Sequence, residues 1–424
     1  MNKFLGYRCS LCGTEYGPTD VTYTCPKDGG NLDVVLDVEA LRSKFQPNDI
    51  ESRADPSLWR YLPLLPVAEV PGSRTPLHSA GGTPVFSLAH TAEQTGFESV
   101  WLKDESRNPT ASFKDRASAL VVARAREIEA EVVITASTGN AGAALAGMAS
   151  AIGQRAIVLA PKTAPPAKMA QLLIYGATVI LVEGTYDDAF DLTLEASKEF
   201  GWYCRNTGYN PFTAEGKKTA ALEIWEWWRT MHAEWHHENG EHIEHAPLTV
   251  FVSVGDGNII SGLHKGFKDL QQLGWMPKIP RLIGVQATGS AAIANAFHAG
   301  TEMITPVSAK TLADSISVDL PRDGVRAVRA AKETCGTYIV VSDDDILHAV
   351  ANLGLMGIFA EPAGAAAYAG LLKAGADGDV KSDDPILVLN TCSGLKDVNS
   401  AMQAVGEAPV IEPTMKALKG VLRK

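Results

Sequence analysis

Val132-Val133-Ile134-Thr135-Ala136-Ser137-Thr138-Gly139-Asn140-Ala141-Gly142 is the stretch from which the fold can be read. A short β-branched run ends in hydroxyls and glycine, then passes into a small-residue segment, Ala141 to Ile152, of helical period. The alternation repeats through Ala156 to Ala160, Ala167 to Tyr175, Thr178 to Val182 and Asp187 to Phe200. Strands and helices at this spacing predict βαβ units around a parallel sheet, because parallel strands need a crossover long enough to hold a helix. Beyond them the pattern predicts a helix through Thr219 to Trp228, a strand at Val250 to Val254 and a helix over Ile259 to Leu273. Further strands are expected at Ile283 to Gln286 and Ile386 to Asn390. The expected class is α/β, with strands enough for two sheets.

Outward from that core, composition narrows the function. The chain has 424 residues, 46% of them hydrophobic and 21% charged, which is ample for a large core without crosslinks. A net charge of -11 argues against nucleic acid or an anionic membrane as partner, since both call for a basic face. The six cysteines fall into a cluster, Cys9, Cys12 and Cys25, and three isolated residues, unlike the dense spacing of a disulfide scaffold. Met1 to Gly6 is too short for a signal core before Arg8, and no apolar run approaches the roughly 20 residues of a membrane span. A cytoplasmic, small-molecule enzyme is expected. Leu41 to Pro84 carries seven prolines and reads as a connecting arm. His232, His236, His237, His242 and His245 lie among glutamates and read as solvated helix-end sequence rather than a metal site.

Four segments carry chemistry. Asn108-Pro109-Thr110 leads into Ser112-Phe113-Lys114-Asp115-Arg116, a turn entering a helix with Lys114 in its first turn and Ser112 or Thr110 as cap. The positive end of a helix, together with burial, lowers a lysine pKa, as an imine-forming amine requires. Alone this segment also fits a surface lysine or a hydrolytic Ser-Lys pair. Ala136 to Gly142 offers free N–H groups and hydroxyls to an anion such as a carboxylate, or is an ordinary helix cap at Ser137 or Thr138. Gly255-Asp256-Gly257-Asn258, between a strand and a helix, would let the backbone approach a phosphate. It is no dinucleotide fingerprint, because the third glycine position is Ile260. Asn390-Thr391-Cys392-Ser393-Gly394-Leu395-Lys396-Asp397 ends the last strand, where open α/β sheets bind ligands. Imine lysine, anion turn, phosphate cradle and strand-end hydroxyl together match the parts of a pyridoxal 5'-phosphate site.

In that order, from about Gly81 to Asp397, the sequence resembles the threonine synthases and, more broadly, the tryptophan-synthase-β-like (fold type II) pyridoxal-phosphate enzymes. The residues are Gly82-Thr83-Pro84, Lys103-Asp104-Glu105, Asn108 to Thr110 with Ser112 to Arg116, and Ala136 to Asn140. Asn210-Pro211, Glu215 to Thr219, Gly255 to Asn258, Glu361-Pro362-Ala363 and Gly394 to Asp397 complete the set. The resemblance implies two parallel-sheet-containing domains with the cofactor between them: residues 81–116 with 208–424 as the large one, and 117–207 as the small. It implies that Lys114 carries the cofactor as a Schiff base and moves protons, with Phe113 beside it. Asn140 would bond the phenolic oxygen, Gly255, Asp256, Gly257 and Asn258 the cofactor phosphate, and Thr391 the pyridine nitrogen. Ser137, Thr138, Gly139, Ser112 and Lys218 would bind the amino-acid substrate. A neutral hydroxyl at the ring nitrogen leaves the ring a weaker electron sink, which suits elimination and replacement more than transamination. The implied reaction takes O-phospho-L-homoserine and water to L-threonine and phosphate, in a homodimer.

Residues 1–36 resemble a zinc-ribbon extension of one branch of the family, with Cys9, Cys12, Cys25 and, where a fourth cysteine would stand, Asp28; residues 37–80 would be the arm. Any metal there would be structural. Two departures bear on substrate. Thr213 stands where the family commonly has an arginine suited to a substrate phosphate, and Thr391-Cys392-Ser393-Gly394 replaces the usual Thr-Gly-His-Gly. The alternative reading is therefore a serine, threonine or diaminopropionate ammonia-lyase, or a β-replacement synthase of the cysteate synthase type. A non-catalytic sensor of the same fold, or a zinc-ribbon interaction module on an unrelated domain, would represent other classes.

Overall fold

The computed structural model describes residues 3–137, 139–162, 164, 166–239 and 248–422, except the side chains of 166, 167 and 232–239. Thr138, and the histidine-rich stretch apart from the backbone of residues 232–239, lie outside the described residues. In chain order the strands are β1 Phe4–Cys9, β2 Glu15–Tyr16, β3 Leu32–Leu36, β4 Val85–Ser87, β5 Val100–Asp104, β6 Val132–Ala136 and β7 Arg155–Pro161. Then come β8 Thr178–Val182, β9 Tyr203–Cys204, β10 Thr249–Ser253, β11 Arg281–Ala287, β12 Thr337–Val341 and β13 Ile386–Asn390.

Among the described residues they form a three-stranded sheet β2-β1-β3, a six-stranded sheet β12-β11-β10-β13-β5-β4 and a four-stranded sheet β8-β7-β6-β9. The four-stranded sheet is parallel throughout. The six-stranded sheet is parallel except for its edge pair β4 and β5. Every residue of β6, β10 and β13 is buried, as expected for strands covered by helices on both faces. The expected βαβ alternation is thus present, with helices Asn140–Ser150, Pro166–Ile174 and Tyr186–Phe200 as crossovers.

Leu41 to Pro84 is more than a connecting arm. Its 3-10 helix Leu58–Leu64 buries Leu58, Trp59, Tyr61 and Leu64, and the Trp59 indole donates to the Leu77 carbonyl at 2.9 Å. The prolines break regular helix while the apolar residues between them remain core.

A buried ionic cluster ties the helix Lys114–Glu127 to β5 and to the long helix Pro211–Asn239. Arg116 donates to Glu105 at 2.7 and 2.8 Å and to Glu223 at 2.6 and 2.7 Å, and Lys103 donates to Glu223 at 2.7 Å. Two cations face two carboxylates with no exposure, so the cluster is neutral and its hydrogen bonds are made. Gly216 permits the approach of the two helices: a Cβ there would lie 2.2 Å from the Arg116 carbonyl oxygen.

The N-terminal sheet touches both larger sheets. Tyr23 stacks on Tyr203 and Tyr209, and its hydroxyl accepts from the Cys204 N–H at 2.9 Å. On the other side Arg326 donates to Asp33 at 2.7 Å, and the Asn31 amide donates to the carbonyls of Arg322 and Gly208.

Candidate active site

The C-terminal ends of β6, β10 and β13 converge on a cavity of about 390 Å3. Lys114, Ser137, Gly139, Asn140, Gly255, Asp256, Gly257, Asn258 and Thr391 line it, drawn from four separate segments of the chain. Lys114 opens the helix Lys114–Glu127; the N-cap position is Phe113 rather than the expected Ser112 or Thr110, and the Lys114 N–H donates to the Ser112 hydroxyl at 3.2 Å. Preceding it, Ala111 holds φ 60°, a left-handed conformation that alanine adopts at a cost. The Phe113 N–H donates to the Thr391 carbonyl at 2.9 Å, and Ser112 bridges Cys392, so the lysine turn is fixed to the end of β13. Burial is the largest influence on the Lys114 ammonium and lowers its pKa below the usual lysine range; Glu361 and Cys392 act against it. Among the described residues its amine has neither a hydrogen bond nor an ion pair.

The turn after β6 is more occupied than its sequence suggests. The Ser137 hydroxyl oxygen accepts from the N–H groups of Gly139 at 3.1 Å and Gly142 at 2.9 Å, which is the capping role. The N–H groups left for an anion are those of Asn140 and Ala141, in the first turn of the helix Asn140–Ser150. The Asn140 amide donates to Glu361 at 2.8 Å and to the Ser315 hydroxyl at 2.9 Å, while its carbonyl oxygen and the second Glu361 oxygen are buried without partners among the described residues.

Gly257 has φ +88°, and a Cβ there would lie 2.7 Å from the Asp323 carbonyl oxygen. It introduces the helix Asn258–Gln272, whose first turn (Asn258, Ile259 and Ile260) lines the cavity with N–H groups that no helical carbonyl can take. Asp256 is turned aside, its carboxylate accepting from the Arg322 N–H at 3.3 Å, and burial raises its pKa.

Three expected site residues are not on the cavity wall. Lys218 is fully buried on the far side of its helix, with Glu215 at 2.5 Å and Asp269 at 2.9 Å, so it is structural; its neighbour Lys217 lines the cavity. Phe113 packs in the core with the Arg116 guanidinium over its ring, and Ser112 is fully buried, its hydroxyl accepting from the Lys114 N–H. Residues not anticipated in the sequence are Thr207, Lys217, Ser315, Tyr186 and Arg322 on the wall, with Glu361 behind it. The Lys217-Lys218 doublet was the available signal, but choosing between the two needs the rotation of the helix.

The residues fit pyridoxal phosphate: an unpaired amine, helix-start amides behind a glycine turn, unpaired buried polar atoms at Asn140 and Glu361, and a Thr391 hydroxyl at the wall. Fold and site together define the class, a pyridoxal-phosphate-dependent enzyme, and a family model of that description matches residues 77–391. The chain is 36% identical over 98% of its length to the threonine synthase of Methanocaldococcus jannaschii, covering 99% of that protein. It is 33% identical to that of Methanosarcina acetivorans, covering 97% of each. The chain belongs to the threonine synthase family. Among solved structures, threonine deaminase isoform 2 of Solanum lycopersicum matches with TM-score 0.64 at 22% identity, over 81% of this chain and 92% of that one. Diaminopropionate ammonia lyase of Escherichia coli matches with TM-score 0.64 at 22% identity, over 76% and 87%. At these identities the likeness concerns the fold.

At the N-terminus, ligand atoms of Cys9, Cys12, Cys25 and Asp28 all lie within 4.8 Å of one another. Zinc bound tetrahedrally by thiolates spaces its sulfurs by ~3.8 Å, and the Cys12 and Cys25 sulfurs are 3.8 Å apart. The donor set fits a tetrahedral ion with one oxygen ligand.

Proposed function

We propose that this chain converts O-phospho-L-homoserine and water into L-threonine and phosphate, by elimination followed by addition of water at the β-carbon. The observation that carries the reading is the Lys114 amine, without a polar partner, opening on the cavity that receives the first turn of Asn258–Gln272 and the Thr391 hydroxyl. End-to-end identity to threonine synthases supports the choice of substrate. The bound cofactor supplies an electron sink for the charge that develops at the α-carbon of an amino acid.

The protein's own residues supply the rest. Gly255 to Asn258 and the helix start after them hold the cofactor phosphate, Asn140 its phenolic oxygen and Thr391 its ring nitrogen. The N–H groups of Asn140 and Ala141 hold the substrate carboxylate. Lys114, its pKa lowered by burial, takes the α-proton and returns protons later in the cycle. Residues 81–116 with 208–424 and residues 117–207 act as two domains about the cofactor. Cys9, Cys12, Cys25 and Asp28 hold a structural zinc, a reading supported by their mutual distances. The enzyme works as a cytoplasmic homodimer, which sizing of the purified protein checks; in the described residues no helix is long and apolar enough to cross a membrane.

The test is turnover by cofactor-loaded protein. Phosphate and threonine should appear in equal amounts from O-phospho-L-homoserine, and Lys114→Ala should lower the rate by at least about a thousandfold, the scale of losing a general base or covalent anchor. Ammonia and a keto acid from serine, threonine or diaminopropionate, with no threonine from the phosphate ester, would move the chain to the ammonia-lyases.

A further inference from the structure

Lys217 stands apart from most of the molecule's fully buried cations, which are paired with carboxylates. Its side chain is 1% exposed, yet among the described residues no carboxylate lies within ion-pair distance of its ammonium. Its one hydrogen bond goes to the Asn258 side-chain oxygen at 2.6 Å, leaving two donor positions unused at the cavity wall. Lys103, Arg116 and Lys218, buried to the same degree, each sit against carboxylates. Close by, Arg205 is also fully buried without a carboxylate, and one of its guanidinium nitrogens has no partner. Its other terminal nitrogen donates to the Thr207 hydroxyl oxygen at 2.6 Å. With an acceptor site of that oxygen filled from behind, the Thr207 hydroxyl is left to donate toward the cavity it lines.

The neighbouring charges do not cancel these cations. Asp323 is held by Arg326 at 2.6 and 2.7 Å and also accepts from the Asn258 amide at 2.7 Å. Asp256 is turned to the Arg322 N–H, and burial favours its neutral form. Burial and the fields of Arg205 and Lys114 lower the Lys217 pKa, so its charged form is disfavoured until an anion lies beside it. An ammonium buried without a counter-charge is disfavoured, so a doubly charged guest with several acceptor oxygens is the chemistry that complements the site.

We propose that Lys217 and Thr207 form an anchor for a phosphate monoester dianion, with Arg205 positioning the Thr207 hydroxyl from behind. The inference deepens the proposed function and rests on it for the choice of guest, since both the cofactor tail and the phosphorylated substrate carry this group. It assigns to Lys217 a phosphate-binding charge that Thr213 cannot supply, as the Thr213 hydroxyl is fully buried against Asn210 and Asn258.

The experiment compares wild type, Lys217→Met, which keeps the length without the charge, and Lys217→Arg. Cofactor affinity is measured by absorbance titration, inorganic phosphate binding to the cofactor-loaded protein by calorimetry, and KM with O-phospho-L-homoserine. Loss of charge should weaken one of these affinities by tenfold or more, with partial recovery in Lys217→Arg. Weakened phosphate binding and raised KM at unchanged cofactor affinity identify the substrate as the source; weakened cofactor affinity alone identifies the cofactor tail. If Lys217→Met does not fold, Thr207→Val gives the same comparison. Unchanged affinity for both guests in a folded variant overturns the proposal. Wild-type protein that makes no threonine, yet loses phosphate or cofactor affinity on Lys217→Met, would sink the functional reading and leave this inference standing.

Discussion

At the scale of single residues, the backbone at Ala111 shows how the lysine turn is held. Its left-handed φ of 60° is fixed from both sides: the Ala111 N–H donates to the Asn108 carbonyl at 2.8 Å, and the Ala111 carbonyl accepts from the Ser393 N–H at 3.1 Å. Ala111→Gly should leave the thermal midpoint nearly unchanged, because relief of about 1 kcal/mol of local strain is offset by glycine's greater chain entropy. Ala111→Val should destabilise by about 2 kcal/mol, since a β-branched residue tolerates that region worst. Thermal melts of the two variants check the pair, and a melt for Ala111→Val indistinguishable from wild type would remove the argument. The same scale marks the limit of reading a site from sequence. Lys114, Asn140, the Gly255–Asn258 loop and Thr391 were legible because each ends a strand or starts a helix. That Lys217 rather than Lys218 faces the cavity is a matter of one residue, about 100° of helix rotation, which no local pattern distinguishes.

At the scale of elements, the cluster of Lys103, Glu105, Arg116 and Glu223 joins β5, the lysine helix and the long helix after Pro211. Arg116→Met should cost about 3–5 kcal/mol, because it strands two carboxylates out of water; a fall in thermal midpoint with loss of bound cofactor would register it. The pH dependence follows from Glu223, whose carboxyl is held below its usual range by Arg116 and then Lys103 against the opposing and larger effect of burial. A depressed folded-state pKa gives stability that is fully present above the unfolded value, about 4.5 for glutamate, and lost only as pH falls through the folded one. Stability from this cluster should therefore hold from neutrality to about pH 5 and decline below it, and in Arg116→Met that acid-limb decline should be much smaller. The cluster also explains why β5 escapes the sequence pattern. Val100-Trp101-Leu102-Lys103-Asp104 ends in two charges that look solvent-facing, yet both are buried, Lys103 against Glu223 and Asp104 against Arg107 and the Asn390 amide. The arm at Leu41 to Pro84 was obscured differently: proline interrupts the period by which buried helices are found, while leaving the apolar residues free to pack.

At the scale of the whole molecule, the N-terminal module is the element whose distant contacts no sequence pattern could reveal. If Cys9, Cys12, Cys25 and Asp28 hold zinc, elemental analysis should return about one ion per chain, the content of a single four-ligand site. Strong chelator, or Cys25→Ser, should then lower the thermal midpoint by several degrees, because metal-binding energy in a small module is folding energy. A metal content near zero in protein purified without chelator, with a melt unaffected by added zinc, would refute the site. The stacked Tyr23, the Asn31 amide and the Arg326–Asp33 pair give this result a reach beyond the first 36 residues. They reach from the short strand β9 to the helix Gly324–Glu333. The module is thus riveted at two points, by the Tyr23 ring to the four-stranded sheet and by Asp33 to a helix of the six-stranded one. If a metal sits there, stripping it should quicken hydrogen exchange at Cys204 in β9, whose N–H is tied to the Tyr23 hydroxyl, so that a lesion at the far N-terminus registers in a sheet nearly two hundred residues along the chain.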